Sequence, residues 1–255
     1  MLMENTDRLE QVRKYIGQNG RVRISQIKSE FGVSTATARR DLDTLAREGK
    51  IQRVHGGAVL VEMAPPEPPV LQRMNEQSDE KARIGAATAA LIHDGETVFL
   101  GAGTTVLEVA KCLQNHHRLT VITNSLLVQN ALANHKDMNL VFLGGTFRNT
   151  EYTVYGYLTE QDASQLNADK VILGIRAISL EQGLTNDFLP EISTDRALLK
   201  VGREVILTAD HTKFHRISTA QVSELTAVQT IVTDNQAPTD LIASIREMGI
   251  RVIIA

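Results

Sequence analysis

The stretch Ser34-Thr35-Ala36-Thr37-Ala38-Arg39-Arg40-Asp41-Leu42 decides how this end of the chain folds, and it follows directly on Phe31-Gly32-Val33. Upstream, Ile24, Ile27 and Phe31 recur at helical spacing until Gly32 breaks the pattern. Ser34 is a good N-cap for a second helix, because its hydroxyl can accept from a free N–H of the first turn. On that helix Ala38, Leu42 and Leu45 share one side. Ala36, Arg40, Asp43 and Arg47 fall opposite, with Thr37 and Arg39 on the flanks. A helix, a tight turn and a second helix presenting threonines and arginines is the plan of a helix-turn-helix that reads DNA.

Working outward, Gly49 ends the second helix, and residues 51–54 and 58–61 read as two short strands around His55-Gly56-Gly57. A hairpin in this place is a wing, on which Lys50, Arg53 and His55 can touch phosphates or a minor groove. The expected DNA-contacting set is therefore Ser34, Thr35, Ala36, Thr37, Arg39, Arg40, Lys50, Arg53 and His55. Charge agrees with this placement. Residues 1–60 hold eleven Lys/Arg against seven Asp/Glu, whereas the rest hold sixteen against twenty-three. A basic end on an acidic protein points to a local polyanion contact and not to a nucleic-acid-coated surface.

Residues 1–61 thus read as a winged helix-turn-helix domain. Four of the six prolines, Pro65, Pro66, Pro68 and Pro69, follow within five residues. Such a stretch neither pairs as a strand nor runs as a helix, and it tends to stiff polyproline II. Residues 62–75 read as a semi-rigid connector that holds the head away from a larger domain, residues 76–255. The length of 255 residues suits one or two domains, and an apolar fraction of 42% supports a globular core. No apolar run approaches the roughly 20 residues that span a bilayer, and residues 1–5 lack the form of a signal peptide. The single cysteine, Cys112, excludes an internal disulfide and fits a reducing cytoplasm; it reads as a packed helical residue. A cytoplasmic protein without a membrane partner is expected.

Past the connector, helical and strand patterns alternate. Helices are expected over 75–93, 105–113, 126–134, 192–201 and 239–248. Strands are expected over 97–100, 120–123, 139–143, 171–174, 205–208, 230–233 and 251–254. This requires a mostly parallel α/β sheet with helices on both faces, and such sheets bind ligands outside the carboxyl ends of their strands. Five strand ends are glycine-rich or polar: Gly101-Ala102-Gly103-Thr104-Thr105, Thr123-Asn124-Ser125, Gly144-Gly145-Thr146, Gly174-Ile175-Arg176 and Asp210-His211-Thr212-Lys213-Phe214. On a parallel sheet they converge on one rim, which predicts a small-molecule site.

The first of these loops opens a helix, so its free N–H groups suit a phosphate, with Lys213 as the compensating charge. A dinucleotide does not fit, because Val106 stands where the third glycine of its fingerprint belongs and no acid ends the second strand. Asp187, Glu191 and Asp210 leave open a second reading, a sugar-phosphate isomerase with an accessory nucleic-acid-binding domain and a carboxylate base. The attached head favours a sensor without enzymatic activity. His211 and His215 lack a third ligand and read as surface histidines, not a metal site.

Together these motifs resemble the DeoR family of bacterial sugar-metabolism regulators over nearly the whole chain. The family signature Ser-x-x-Thr-(Ile/Val)-Arg-Arg-Asp-Leu, then a basic hairpin with His-Gly-Gly-Ala, is met by Ser34, Thr37, Arg39, Arg40, Asp41, Leu42 and His55-Gly56-Gly57-Ala58. Ala38 replaces the usual β-branched residue on the packing side. The resemblance implies a second domain similar in fold to ribose-5-phosphate isomerase that binds phosphorylated sugars. Gly103-Thr104-Thr105, Thr123-Asn124, Gly144-Gly145 and Asp210-x-x-Lys213-Phe214 match the family pattern. Gly101 stands where aspartate is common, and Arg176 where a small residue is common. After Glu191 comes Thr194-Asp195-Arg196, where the family often has a lysine.

Phosphate capture is then expected to be retained and sugar recognition altered. Arg176 is expected to pair either with a second phosphate or carboxylate of the ligand, or with Asp187, Glu191 or Asp195 inside the protein. The expected effector set is Gly101, Ala102, Gly103, Thr104, Thr105, Thr123, Asn124, Ser125, Gly144, Gly145, Arg176, Glu191, Asp210 and Lys213. The resemblance implies a repressor of a sugar or carbohydrate catabolic operon, without cofactor or metal. Its expected partners are operator double-stranded DNA and a phosphorylated metabolite. The head is small, so a homodimer or homotetramer assembled through residues 76–255 is expected.

Overall fold

The computed structural model describes residues 5–19, 21–54, 56–60 and 62–255. The head runs α1 (Asn5–Asn19), β1 (Arg21–Arg23), α2 (Ile24–Phe31), α3 (Thr35–Arg47), β2 (Ile51–Val54) and β3 (Gly57–Leu60). Gly32 makes the turn between α2 and α3 at φ 61°, a left-handed conformation that glycine adopts without steric cost. Ser34 caps α3, its hydroxyl accepting from Thr37 N at 3.1 Å. Ala38, Leu42 and Leu45 then close on Val12, Ile16, Ile27, Ile51 and Ala58 in one apolar core. The wing is larger than the expected hairpin. β1 pairs antiparallel with β3, giving a sheet of order β1-β3-β2. Arg8 of α1 grips the buried Asp41 through Nε at 2.8 Å and Nη2 at 3.0 Å, which fixes the tilt of α3 against α1.

The semi-rigid connector does not hold the head away from the larger domain as expected. β4 (Glu62–Met63) pairs in parallel with residues 216–217 of the larger domain, and Ala64 N donates to Ile217 O at 2.8 Å. α4 (Val70–Arg73) makes one turn anchored by the buried Val70. The proline stretch between β4 and α4 lacks regular structure, because the prolines have no N–H to donate, and residues 74–77 form a turn. Head and larger domain also touch directly. Arg21 Nη1 lies 3.3 Å from Asp240 Oδ1, and His215 Nδ1 lies 3.1 Å from Gln52 Oε1. The connector is a strap that ties the head down.

The larger domain begins with α5 (Ser78–Ala89), β5 (Thr97–Leu100), α6 (Thr104–Lys111), β6 (Leu119–Thr123), α7 (Leu126–Leu132) and β7 (Met138–Phe142). A hairpin of β8 (Thr146–Arg148) and β9 (Thr153–Tyr155) leads to α8 (Tyr157–Ser164) and β10 (Ala168–Gly174). β11 (Ala177–Ser179), β12 (Gly183–Asn186), α9 (Ile192–Leu198), β13 (Gly202–Thr208), β14 (Arg216–Ile217) and β15 (Ala220–Ser223) follow. The chain ends with β16 (Thr230–Thr233), α10 (Thr239–Glu247) and β17 (Arg251–Ile254). Seven strands form one sheet, β17-β16-β13-β10-β5-β6-β7, in which every pairing is parallel.

Alternation along the strands loads both faces of this sheet. Val98 and Leu100 pack with Ile84 of α5 and Val106 of α6, whereas Phe99 between them joins the core that holds Leu241 and Ile245 of α10. Cys112 departs from its expected burial; it is exposed in a short 3₁₀ turn after α6. The chain runs outward one way through β5, β6 and β7 and the other way through β10, β13, β16 and β17. The order therefore reverses between β5 and β10, which is where an open parallel sheet leaves a crevice.

Candidate functional site

On the head, Ser34, Thr35, Ala36, Arg39 and Arg40 are exposed along one face of α3, opposite its buried residues. Thr37 is half-buried, its hydroxyl 2.9 Å from that of Ser34. The wing cations are more engaged than their sequence setting implied. Lys50 Nζ pairs with Glu48 at 2.8 Å. Arg53 Nη1 lies 3.3 Å from Asp43 Oδ1 and donates to Arg39 O at 3.4 Å, so it braces the wing against α3. His55 lies outside the described residues.

A cleft of about 250 Å³ opens at the carboxyl ends of β5 and β10. The expected residues Ala102, Gly103, Thr104, Thr105, Asn124, Arg176, Glu191, Asp210 and Lys213 all line it. Gly103 sits at φ 109°, where side-chain-bearing residues are strained, with open space in front of it. It precedes α6, whose first turn carries no side-chain cap, so the N–H groups of Thr104 and Thr105 are left for an anion.

The other expected residues do not reach the cleft. Gly101 is buried beneath Leu173, and a Cβ there would stand 2.6 Å from Leu173 Cδ2. That packing leaves no room for an aspartate side chain while Leu173 keeps its place. Thr123 and Ser125 serve the local backbone: Thr123 Oγ1 accepts from Ser125 N at 3.0 Å, and Ser125 Oγ caps α7 by accepting from Val128 N. Gly144 N donates to Asp162 Oδ2 at 3.2 Å, and Gly145 packs against Thr159 and Tyr155, so the end of β7 closes on α8. His215 is not a surface histidine, since it is wedged at the contact with the head. His211 Nδ1 lies 3.1 Å from Asp234 Oδ1.

Several lining residues come from places that strand-end reasoning does not search. Arg73 of α4, Lys81 of α5 and Arg148 of β8 bring positive charge. Lys81 Nζ donates to Arg73 O at 2.8 Å and also to Glu76 O. Burial pushes its ammonium below the ordinary lysine value, with the charge of Asp210 opposing. Arg148 Nη1 donates to Glu191 Oε2 at 2.5 Å, and its guanidinium stacks 4.0 Å over the Phe188 ring. Glu67, Glu151, Asp187 and Asp195 bring carboxylates, which outnumber the cations around the cleft.

Asp195 accepts from Asn186 Nδ2 at 2.8 Å. Burial, aided by the charge of Glu191, pushes its carboxyl up to about 7. Arg176 is buried and pairs inside the protein. Nη1 donates to Glu67 Oε1 at 2.9 Å, and Nε lies 3.4 Å from Asp187 Oδ2, an ion pair without hydrogen-bond geometry. Of the three carboxylates expected as its internal partners, only Asp187 is in reach.

No helix among the described residues is long and apolar enough to cross a membrane. Two family models match the chain: a DeoR-like helix-turn-helix domain at residues 8–64 and a DeoR C terminal sensor domain at residues 76–235. The chain is similar to the transcriptional repressor AccR of Agrobacterium fabrum, 38% identical over 213 residues that cover 83% of each chain. It is similar to the glycerol-3-phosphate regulon repressor of Escherichia coli K12, 34% identical over 236 residues, 92% of this chain and 93% of that one. Both relatives are named as repressors and neither as an enzyme. Among solved structures it is similar to ribose 5-phosphate isomerase A of Methanocaldococcus jannaschii, with a TM-score of 0.41, 16% identity and 55% of each chain covered.

Proposed function

The chain belongs to the DeoR family of transcriptional regulators, and on that premise we propose that it represses a carbohydrate catabolic operon and releases operator DNA when a phosphorylated sugar metabolite fills the cleft. Residues 1–61 bind DNA through the exposed face of α3 and the wing, residues 62–75 form the strap, and residues 76–255 sense the effector and assemble a homodimer or homotetramer in the cytoplasm. The observation that carries the sensing half is the pairing of Gly103 with Lys213 in one cleft. An uncapped helix start at φ 109° and a lysine ammonium face the same space, which suits a phosphate.

The experiment measures operator release against ligand for wild type, Lys213→Ala and Gly103→Val, with ligands drawn from a thermal-shift screen of pentose and hexose phosphates. Both variants are expected to bind operator as wild type does and to lose the response. Lys213→Ala carries the test alone if the strained Gly103→Val fails to fold. An unchanged response in a folded variant places the effector elsewhere.

A further inference from the structure

The proline strap sends one side chain into the sensor cleft. Glu67 Oε1 accepts from Lys213 Nζ at 2.8 Å and from Arg176 Nη1 at 2.9 Å, and lies 3.1 Å from Arg73 Nη1. Burial pushes this carboxyl up, and the charges of Lys213, Arg73 and Arg176 more than offset that, leaving it below the ordinary glutamate value. One oxygen thus answers three cations. It does not satisfy them: Arg176 is 7% exposed, and its Nη2 and Nε have no hydrogen-bond partner.

Glu67 also lines two spaces. A second cavity of about 210 Å³, lined by Pro65, Pro66 and Pro68 of the strap, adjoins the cleft. Glu67, Arg73, Arg176 and Lys213 border both spaces. If Glu67 swings out, the two spaces join and the guanidinium faces the combined volume.

We propose that Arg176 forms a second anion subsite, filled by Glu67 from the strap, with the Lys213 ammonium shared between it and the Gly103 seat, and that the effector is a metabolite with two anionic groups, the second of which takes the place of Glu67. This rests on the reading of the Gly103 loop as the seat of the first group. A phosphate or carboxylate brings the additional acceptor oxygens that Arg176 lacks, and a guanidinium binds such groups bidentately. The exchange also removes one carboxylate from a cleft in which carboxylates are in excess, so an anionic ligand gains from it twice. Because Glu67 is tethered, it competes at a high effective concentration, and it frees the strap when it leaves.

The test titrates inorganic phosphate calorimetrically into the full-length chain. Wild type is expected to take up one phosphate per chain, at the Gly103 loop. Glu67→Gln, of the same shape without the charge, is expected to take up two, the second at least tenfold tighter than any second binding to wild type. Adding Arg176→Met to Glu67→Gln is expected to return the count to one. In Glu67→Gln at saturating phosphate, the strap amides of Glu62 and Ala64, which donate to His215 O and Ile217 O, are expected to exchange their hydrogens faster than in wild type. Equal uptake by wild type and Glu67→Gln, including none by either, overturns the inference. The underlying reading fails separately: if Gly103→Val leaves the first phosphate in place, the loop is not its seat, while the comparison at Glu67 still decides the second.

Discussion

Asp195 offers a prediction whose size can be worked from the structure. Its carboxyl is raised from the ordinary 3.8 to about 7, first by burial and then by the charge of Glu191. Between these two values the folded chain holds a proton that the unfolded chain has released. Stability therefore falls as pH rises from about 4 to about 7 and levels off above that. At about 1.36 kcal/mol per pH unit the loss is at most about 4 kcal/mol, and less in proportion as the cleft admits water. Asp195→Asn keeps an oxygen for the Asn186 amide, which now donates at 2.8 Å, and replaces the repelled carboxylate by a donor facing Glu191. The variant is expected to match wild type below about pH 4 and to exceed it by about 2–4 kcal/mol at pH 8. Urea denaturation of the full-length protein, followed by circular dichroism at half-unit pH steps, reads the difference. Other acids whose carboxyls are raised, such as Glu151 and Glu181, titrate in both proteins and cancel. If the two midpoints move in parallel from pH 5 to pH 8, Asp195 is not protonated in the fold and the reasoning fails.

Two further predictions concern DNA. Arg40→Ala, on the exposed face of α3, is expected to cost about 1–3 kcal/mol per half-site with the melting temperature unchanged; wild-type affinity in a gel-shift titration removes Arg40 from the interface. Arg53→Ala is expected to weaken specific and random DNA alike and to lower the slope of affinity against salt by about one, whereas a loss confined to the operator would make Arg53 a base reader.

The head was legible because its signals are local. A glycine break, a serine cap and three apolar residues at helical spacing lie within fifteen residues, and each acts on its own neighbours. The parallel sheet was legible for a similar reason, since short apolar runs alternating with helices leave little choice of architecture. What escaped depends on distant partners. β1 is three residues long and exists because β3 pairs with it, and α1 is secured by the long-range grip of Arg8 on Asp41. In the cleft, glycines and hydroxyls after a strand identify a strand end but not the direction it faces. Gly103 and Asn124 line the cleft, whereas Gly144 and Gly145 face α8. Glu67, Arg73 and Lys81 precede the sheet altogether, and no periodicity links them to Arg176 more than ninety residues away.

Residues 210–217 join the sensor to the head within one short segment. Asp210 and Lys213 line the cleft, the ring of His215 meets Gln52 of the wing, and Arg216 and Ile217 pair with the strap strand β4. His215 holds φ 54°, left-handed for a residue with a side chain, so its contacts on both sides define that position. Burial lowers its imidazole below the ordinary histidine value, Asp240 opposes and Arg21 adds, so the ring meets Gln52 uncharged at neutral pH. Among the described residues the hold on the head includes a neutral hydrogen bond, the partly exposed pair Arg21–Asp240, a hydrogen bond between the Arg53 backbone and Glu181, and two strand bonds. Each is worth about 0.5–1.5 kcal/mol net. The 1–3 kcal/mol or so that couples sites in regulated proteins is enough to offset one or two of these contacts. A core-like interface between head and sensor would lie beyond that reach. On the proposed exchange at Glu67, the link from the cleft to the head would run through the Lys213–Glu67 ion pair that ties the strap to the sensor.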